Sequence, residues 1–116
     1  MKEVLYSRQA LLQLEENISA LVAKGYFSDE EYAVQYMSDI VHYFALNLQN
    51  LVTTPAPTYF HRYRVADKDM KYARYRKSSL TTWYAFYEEL EAVYSIDYLG
   101  NNHYIGHLLE INIKDL

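Results

Sequence analysis

The sequence predicts an α+β fold, in which an N-terminal strand and an antiparallel helix hairpin pack on a C-terminal antiparallel β-meander. Two observations predict this class. Apolar residues recur at three- and four-residue spacing early in the chain, which is typical of amphipathic helices. From residue 71 onwards the period becomes two, which is typical of strands. The 116 residues suit a single domain, spanning 1–116.

The early part of the chain predicts one strand and two helices. Residues 2–7 alternate as a short strand, and Ser7 is the expected N-cap of a helix over 8–24 that ends at Gly25. In the second helix, Ser28 and Glu31 fit a capping box. Its apolar stripe comprises Ala33, Tyr36, Met37, Ile40, Phe44, Leu48 and Leu51. The connection between the two predicted helices, from Gly25 to Ser28, is short, which predicts an antiparallel helix pair.

The later part of the chain predicts a loop and then strands. Two prolines make residues 53–58 a loop, whereas 59–70 fit either a strand or an irregular basic loop. Residues 71–77, 80–89 and 91–100 alternate as the strands of the meander.

The meander is rich in aromatic residues, and the chain has 14 tyrosines. One alternating set is predicted to lie beneath the helices: Tyr84, Phe86, Tyr94, Ile96 and Tyr98. Trp83, Ala85 and Tyr87 are then expected to point away from the helices. That second face would stack bases or receive the apolar anchors of a partner helix.

Composition excludes several functions. The chain has no cysteine, which excludes disulfides, thiol catalysis and Cys-ligated zinc. No signal peptide and no membrane-length apolar run are evident, so a cytoplasmic protein without membrane contact is expected. The net charge of −4 gives no global attraction to nucleic acid. Residues 61–77 nevertheless form a local basic segment.

Three segments of the chain together resemble one family. They are "VLYSRQALLQLEENISAL", "YAVQYMSDIVHYFALNL" and "YARYRKSSLTTWYAFYEELEAVYSIDYLGNNHY". In this order they are similar to the opening strand and helix, the second helix and the closing meander of the RelE/ParE superfamily. Its members are the toxins of bacterial type II toxin–antitoxin modules. The resemblance covers nearly the whole chain.

The resemblance implies a helix pair on one face of a twisted sheet, with the other face or the C-terminal edge as the working part. RelE-like members cleave messenger RNA on the ribosome, and ParE-like members poison DNA gyrase without nuclease chemistry. An antitoxin segment that folds over the toxin holds both inactive. The implied partners are therefore a cognate antitoxin and either gyrase or the ribosome with its mRNA. A homodimer is left open.

The resemblance also suggests site residues. Arg76, His103 and Tyr104 are the catalytic candidates for a metal-independent endoribonuclease, in which a phosphate is held and protons are moved. Further target or RNA contacts would come from Arg74, Lys77 and Arg64, and antitoxin contacts from Trp83 and Tyr87. The plainer alternatives are a solvated strand face for the arginines, a turn residue for His103 and core packing for the aromatics.

The acidic balance and the twelve residues after the "HY" pair depart from the nuclease members. They favour a ParE-like or degenerate toxin. The alternatives are a RelE-like mRNA endoribonuclease and a non-toxic protein-interaction domain on the same fold.

The stretch "GNNHYIGHLL" contains two histidines four residues apart. It either turns into a last strand containing His107 or ends the meander at the rim of the sheet. In a strand, His103 and His107 would lie about 13 Å apart, which is too far to share a metal ion. Asn101, Asn102 and Gly106 argue against a helix. No metal and no cofactor are therefore expected.

Overall fold

The computed structural model describes residues 2–114, and it describes side chains for residues 2–109. The order of elements is β1 (Glu3–Tyr6), α1 (Arg8–Ala23), α2 (Glu30–Asn47), β2 (Thr53–Pro55), β3 (Met70–Arg76), β4 (Thr82–Glu89), β5 (Val93–Asn101) and α3 (Asn102–Lys114). Two 3₁₀ helices, Leu48–Asn50 and Thr58–Tyr63, lie on either side of β2. The fold is α+β, as predicted. Within residues 2–114, no helix is both long and apolar enough to cross a bilayer.

The five strands form one mixed sheet in the order β1-β5-β4-β3-β2. The prediction of an antiparallel meander is confirmed for β3, β4 and β5, which pair antiparallel in sequence order. The N-terminal strand lies parallel to β5, with Glu3 opposite Val93. The first and last strands of the chain are therefore neighbours, and the helices between them cross one face of the sheet.

Both predicted ends of α1 are confirmed. The Ser7 side chain accepts a hydrogen bond from the Ala10 N–H at 3.1 Å, as an N-cap does. Gly25 has a φ of 74°, and the following Tyr26 N–H bonds back to the Leu21 carbonyl. These features define a Schellman ending, in which glycine takes the left-handed conformation that other residues resist.

The capping box predicted for α2 is wrong. Asp29 is the N-cap, and its side chain accepts from the Tyr32 N–H at 2.8 Å. The helix thus begins one residue later than Ser28 would require. Glu31 then occupies the second helical position, from which it does not reach back to the cap, although its charge still suits the positive helix end.

The prediction that residues 53–58 form only a loop is also wrong. Thr53–Pro55 forms a short edge strand, with Thr53 opposite Ala73 of β3. Proline is tolerated there because it lies on an edge strand. Residues 59–70 match neither alternative in full, since the 3₁₀ helix Thr58–Tyr63 precedes an irregular segment of residues 64–69.

The main core lies between the helix pair and one face of the sheet. The helices contribute Ala10, Leu14, Ile18, Ala33, Tyr36, Ile40 and Phe44. The sheet contributes Ala73, Trp83, Ala85, Tyr87, Ile96 and Leu99. The prediction that Trp83 and Tyr87 point away from the helices is therefore wrong, because their exposed fractions are 0% and 6%. Alternation shows which residues share a face, but it does not show which face the helices cover.

A β-bulge explains why β5 departs from simple alternation. Phe86 lies opposite Tyr98, whereas its neighbour Tyr87 lies opposite Ile96, so Asp97 is the extra residue. Ile96 and, three residues later, Leu99 consequently both enter the main core. The predicted set beneath the helices is correct for Tyr94 and Ile96 but wrong for Tyr84, Phe86 and Tyr98, which belong to or pack against a cluster on the opposite face.

A second cluster covers the opposite face of the sheet. Phe60 of the 3₁₀ helix Thr58–Tyr63 stacks on Phe86 with ring centroids 4.0 Å apart. Tyr63 of the same helix lies against Tyr98 with ring centroids 4.5 Å apart. Other members of this cluster are Ala56, Met70, Ile105 and Leu109. Both faces of the sheet are thus partly covered, one by the helix pair and the other by the 3₁₀ helix and α3.

The prediction against a helix after β5 is wrong, because α3 begins at Asn102 and contains Gly106. Asn101 uses its side chain to accept from the His103 N–H at 2.9 Å, as a residue capping a helix does. Asn102 anchors the turn to the start of β4, accepting from the Thr82 N–H at 2.9 Å. Asparagine favours turns and helix caps alike, so the "NN" pair fits both outcomes. Ile105 and Leu109 then enter the second cluster at helical spacing.

Replacement of two glycines by alanine should change the free energy of unfolding in opposite directions. Gly25→Ala should lower the free energy of unfolding by about 1 kcal/mol, because the position requires a positive φ. Gly106→Ala should raise it by about 0.5–1 kcal/mol, because Gly106 lies inside α3 and an added Cβ meets no atom within 4 Å. Urea unfolding followed by Trp83 fluorescence measures both, and equal effects would contradict these backbone assignments.

Candidate functional site

A cleft lies at the end of the sheet where β5 gives way to α3. Its volume is about 310 Å³. It is lined by Leu21, Lys24, Tyr26, Tyr36, Thr81, Asn101, His103 and Tyr104. We call it the rim cleft. It brings the predicted pair His103 and Tyr104 together with residues of α1, α2 and the loop between them.

Hydrogen bonds fix the polar groups of the rim cleft. His103 Nε2 lies 3.1 Å from Thr81 Oγ1, so the ring is held against the start of β4. The Tyr36 hydroxyl accepts from the Trp83 indole N–H at 3.1 Å, which leaves the phenol its own proton to donate. The cleft therefore offers an imidazole and a phenol as proton-carrying groups.

Lysines add positive charge around the aromatic walls. The Lys24 ammonium lies 5.8 Å from the ring centre of Tyr104, and that of Lys77 lies 5.0 Å from the ring centre of Tyr36. Lys77 also forms a 3.3 Å ion pair with Asp39 of α2. Burial raises the pKa of Tyr36, so this phenol stays protonated near neutral pH. It can donate a hydrogen bond but does not act as a base.

The predicted arginines do not line this cleft. Arg74 and Arg76 are exposed on β3. They lie on the same face as Tyr72, the face that carries the second cluster. Arg76 donates to the Ser79 carbonyl at 3.4 Å. Arg64 lies beyond the other end of β3, where it pairs with Asp67 at 2.8 Å. Of the predicted basic residues, only Lys77 approaches the rim cleft, through its contact with Tyr36.

The helical conformation of α3 changes the argument about the two histidines. His103 and His107 are four residues apart on one helix, where side chains at this spacing are neighbours. The separation of about 13 Å expected for a strand therefore does not apply. Among the residues that the structure describes, however, no group of three His, Cys, Asp or Glu side chains is arranged to hold a metal ion.

A second polar cluster, which was not predicted, lies between β4 and β5 away from the rim cleft. It is the carboxyl pair Glu88 and Asp97, and both residues are 0% exposed. The Glu88 carboxylate accepts three backbone N–H groups of the segment 64–69, from Val65 at 2.6 Å, Ala66 at 3.1 Å and Lys68 at 2.7 Å. Asp97 Oδ1 accepts from the Ser95 hydroxyl at 2.8 Å.

Four residues of these two sites were not predicted as site residues, for two reasons. They are Tyr26 and Tyr36 of the rim cleft, and the buried pair Glu88 and Asp97. Tyr26 and Tyr36 belong to the helical part of the chain, where an aromatic is more readily assigned to the core. Glu88 lies in an acidic stretch that suits a turn, and nothing local indicates that a distant segment binds it. The one available signal was Asp97, a charged residue at the centre of an otherwise apolar strand.

Comparison of the chain with known family models, with curated proteins and with solved structures finds no match. The functional argument therefore rests on the residues and the geometry described above.

The hydrogen bond between Tyr36 and Trp83 should contribute measurably to stability. Tyr36→Phe removes the acceptor of a buried indole N–H, which should lower the free energy of unfolding by about 1–3 kcal/mol. Tyr32→Phe removes the same atom from an exposed residue of the same helix, and its effect should stay within about 0.5 kcal/mol. Urea unfolding of both variants checks this, and equal losses would contradict the buried position of Trp83.

Proposed function

We propose that this chain is the toxin component of a bacterial type II toxin–antitoxin module of the RelE/ParE kind. The observation that carries the proposal is the order of elements: a strand, a helix pair, and then an antiparallel meander whose one face the helix pair covers. This is the arrangement that the sequence resemblance implies. The rim cleft at the end of the meander, with His103 and Tyr104, supports the proposal because the resemblance implies a working part at this edge.

The arrangement of the charged groups favours the ParE-like or degenerate branch. Ribonuclease chemistry needs a phosphate-binding cation and proton-transfer groups around one reacting atom. Here Arg74 and Arg76 stand on the second-cluster face of β3, whereas His103 faces Thr81 in the rim cleft. The net charge of −4 also disfavours attraction to the ribosome. We therefore infer a toxin that acts by binding its target, with DNA gyrase as the first target to test.

The antitoxin would bind the outer side of the helix pair. Trp83 and Tyr87 are buried and give an antitoxin no exposed anchor. Two adjoining depressions of about 380 and 210 Å³ instead run between α1 and α2 and share Val34 and Met37. Exposed apolar residues line them, and Glu15 and Glu30 add negative charge. An amphipathic antitoxin helix with basic flanks suits this groove.

One observation favours the RelE-like endoribonuclease as a second candidate. Tyr72 and Tyr84 lie edge to face at 5.7 Å on the sheet, beside Arg74 and Arg76 of β3. Half-buried tyrosines next to guanidinium groups suit base stacking with phosphate contact. On this alternative, RNA would cross the sheet face and reach His103 at its end.

Controlled expression in a bacterial host tests the proposal. The wild-type chain should arrest growth after induction, since a toxin without its antitoxin acts on the host. Purified protein should also inhibit DNA supercoiling by gyrase on relaxed plasmid. Normal growth in cells that contain abundant folded protein would contradict the proposal for both branches.

The same cultures separate the two branches. For a ParE-like toxin, transcripts should remain intact with the wild type, with His103→Ala and with Arg76→Ala. For a RelE-like nuclease, the wild type should cleave transcripts and both variants should preserve them. Cleavage lost in the variants would therefore overturn the ParE-like branch and support the second candidate.

A further inference from the structure

The carboxyl pair Glu88 and Asp97 poses a problem of charge. Two carboxylates buried side by side would repel each other, and burial penalises each negative charge. The three backbone N–H groups donate to Glu88 and compensate a negative charge on that residue. Asp97 has one oxygen bonded to Ser95, and its buried Oδ2 receives no hydrogen bond from a donor among the described residues.

A single proton on Asp97 resolves this problem. A protonated Asp97 donates from its remaining oxygen to the Glu88 carboxylate, so the pair carries one charge in place of two. Burial, together with the hydrogen bond and the negative charge of Glu88, raises the pKa of Asp97 to about 8. Burial alone would raise the pKa of Glu88, but hydrogen bonds from Asp97 and from the three backbone amides lower it below its usual value.

In the part of the chain that the structure describes, no cationic side chain forms an ion pair that would compensate a charge on Glu88 or Asp97. At the N-cap of α1, the Ser7 hydroxyl reaches only the Asp97 backbone carbonyl, at 3.4 Å. In the segment 64–69, Arg64 forms its ion pair with Asp67, on the exposed side. The segment presents backbone N–H groups to Glu88, including that of Lys68. Among the described residues, no Lys, Arg or His forms an ion pair with Glu88 or Asp97.

We propose that the proton shared by Glu88 and Asp97 latches segment 64–69 onto the sheet, and that loss of this proton releases the segment. Ionisation of Asp97 places a second charge beside Glu88 in a buried site. Solvation of both carboxylates then favours a state in which the segment has moved away. The latch is a property of the fold, and it does not depend on the proposed toxin function.

The conformation of the segment supports this role. Asp67 is the one non-glycine residue with a positive φ, 57°, in the part of the chain that the structure describes. A left-handed conformation costs about 1 kcal/mol or more outside glycine, so the surrounding contacts must hold it. The bonds to Glu88 on either side of Asp67, from Ala66 and Lys68, are among these contacts, beside the Arg64–Asp67 ion pair.

Release of the segment would affect the second cluster. The segment directly follows the 3₁₀ helix Thr58–Tyr63, whose Phe60 and Tyr63 cover Phe86 and Tyr98. A loosened segment would free this helix to separate from the sheet. The latch would then control access to the aromatic face that lies beside Tyr72 and Tyr84.

The direction of the pH effect follows from the pKa of Asp97. Because its folded-state value is raised, the folded state holds a proton that an unfolded or opened chain gives up. The stabilisation is complete at low pH, below the ordinary range of an aspartate, and it is lost as pH rises through about 8. This loss takes place between about pH 4, the ordinary value for an aspartate, and about pH 8, and within this range opening should become roughly tenfold more favourable per pH unit. Above about pH 8 the effect should level off.

Backbone amide hydrogen exchange on the full chain tests the latch, with each rate divided by the intrinsic rate at the same pH. In the wild type, the protection of Val65, Ala66 and Lys68 should fall roughly tenfold per pH unit between about pH 5 and pH 7.5 and level off above about pH 8. Protection of the Phe86 amide serves as the reference in β4. Segment-specific loss would support the latch, and constant protection of the three amides would overturn it.

Two variants sharpen the experiment. Asp97→Asn keeps an N–H donor for Glu88 but has no proton to lose, so protection should stay constant from about pH 5 to about pH 8, where that of the wild type falls. Glu89→Gln removes the neighbouring exposed carboxylate, which pairs with Lys2, and should behave as the wild type does. A pH-dependent loss of protection in Asp97→Asn equal to that of the wild type would overturn the proposal. If Asp97→Asn does not fold, the pH series on the wild type and Glu89→Gln still decides the question.

Discussion

The extra residue Asp97 in β5 is the constraint on which much of this structure depends. Without it, Ile96 and Leu99 would point to opposite faces of the sheet, because strand side chains alternate. The bulge brings both beneath the helix pair and lets Tyr98 enter the second cluster. It also places a carboxyl group next to Glu88 in the interior. One inserted residue therefore organises both faces and buries a second carboxyl group beside the Glu88 charge that segment 64–69 compensates.

The two faces of the sheet have different parts in the proposed function. The helix pair buries Trp83 and Tyr87, and its outer groove, which is apolar with an acidic border, is the proposed binding surface for an antitoxin helix. The opposite face carries Arg74 and Arg76 next to half-buried tyrosines. The rim cleft lies at the end of the sheet, where His103 and Tyr104 begin α3. Inhibitor binding and action on a target can therefore use separate surfaces.

Local patterns were enough to predict β1, α1, α2 and the meander, because apolar periodicity and the cap at Ser7 depend only on residues that are close in sequence. Non-local contacts decide the remainder. β2 exists only by pairing with β3, and the "NN" pair at 101–102 suits a turn as well as a helix start. In the rim cleft, "NHY" indicated His103 and Tyr104. Tyr36 joins them only through tertiary packing.

The account depends most on the claim that the bulge holds Asp97 protonated beside an ionised Glu88. Carbon-13 NMR of the two side-chain carboxyl groups across pH tests this directly on the wild-type chain. One proton should leave the pair near pH 8, with the larger shift at Asp97, while Glu88 is already ionised at mildly acidic pH. Titration of Asp97 at about pH 4, the ordinary value of an exposed aspartate, would contradict the account.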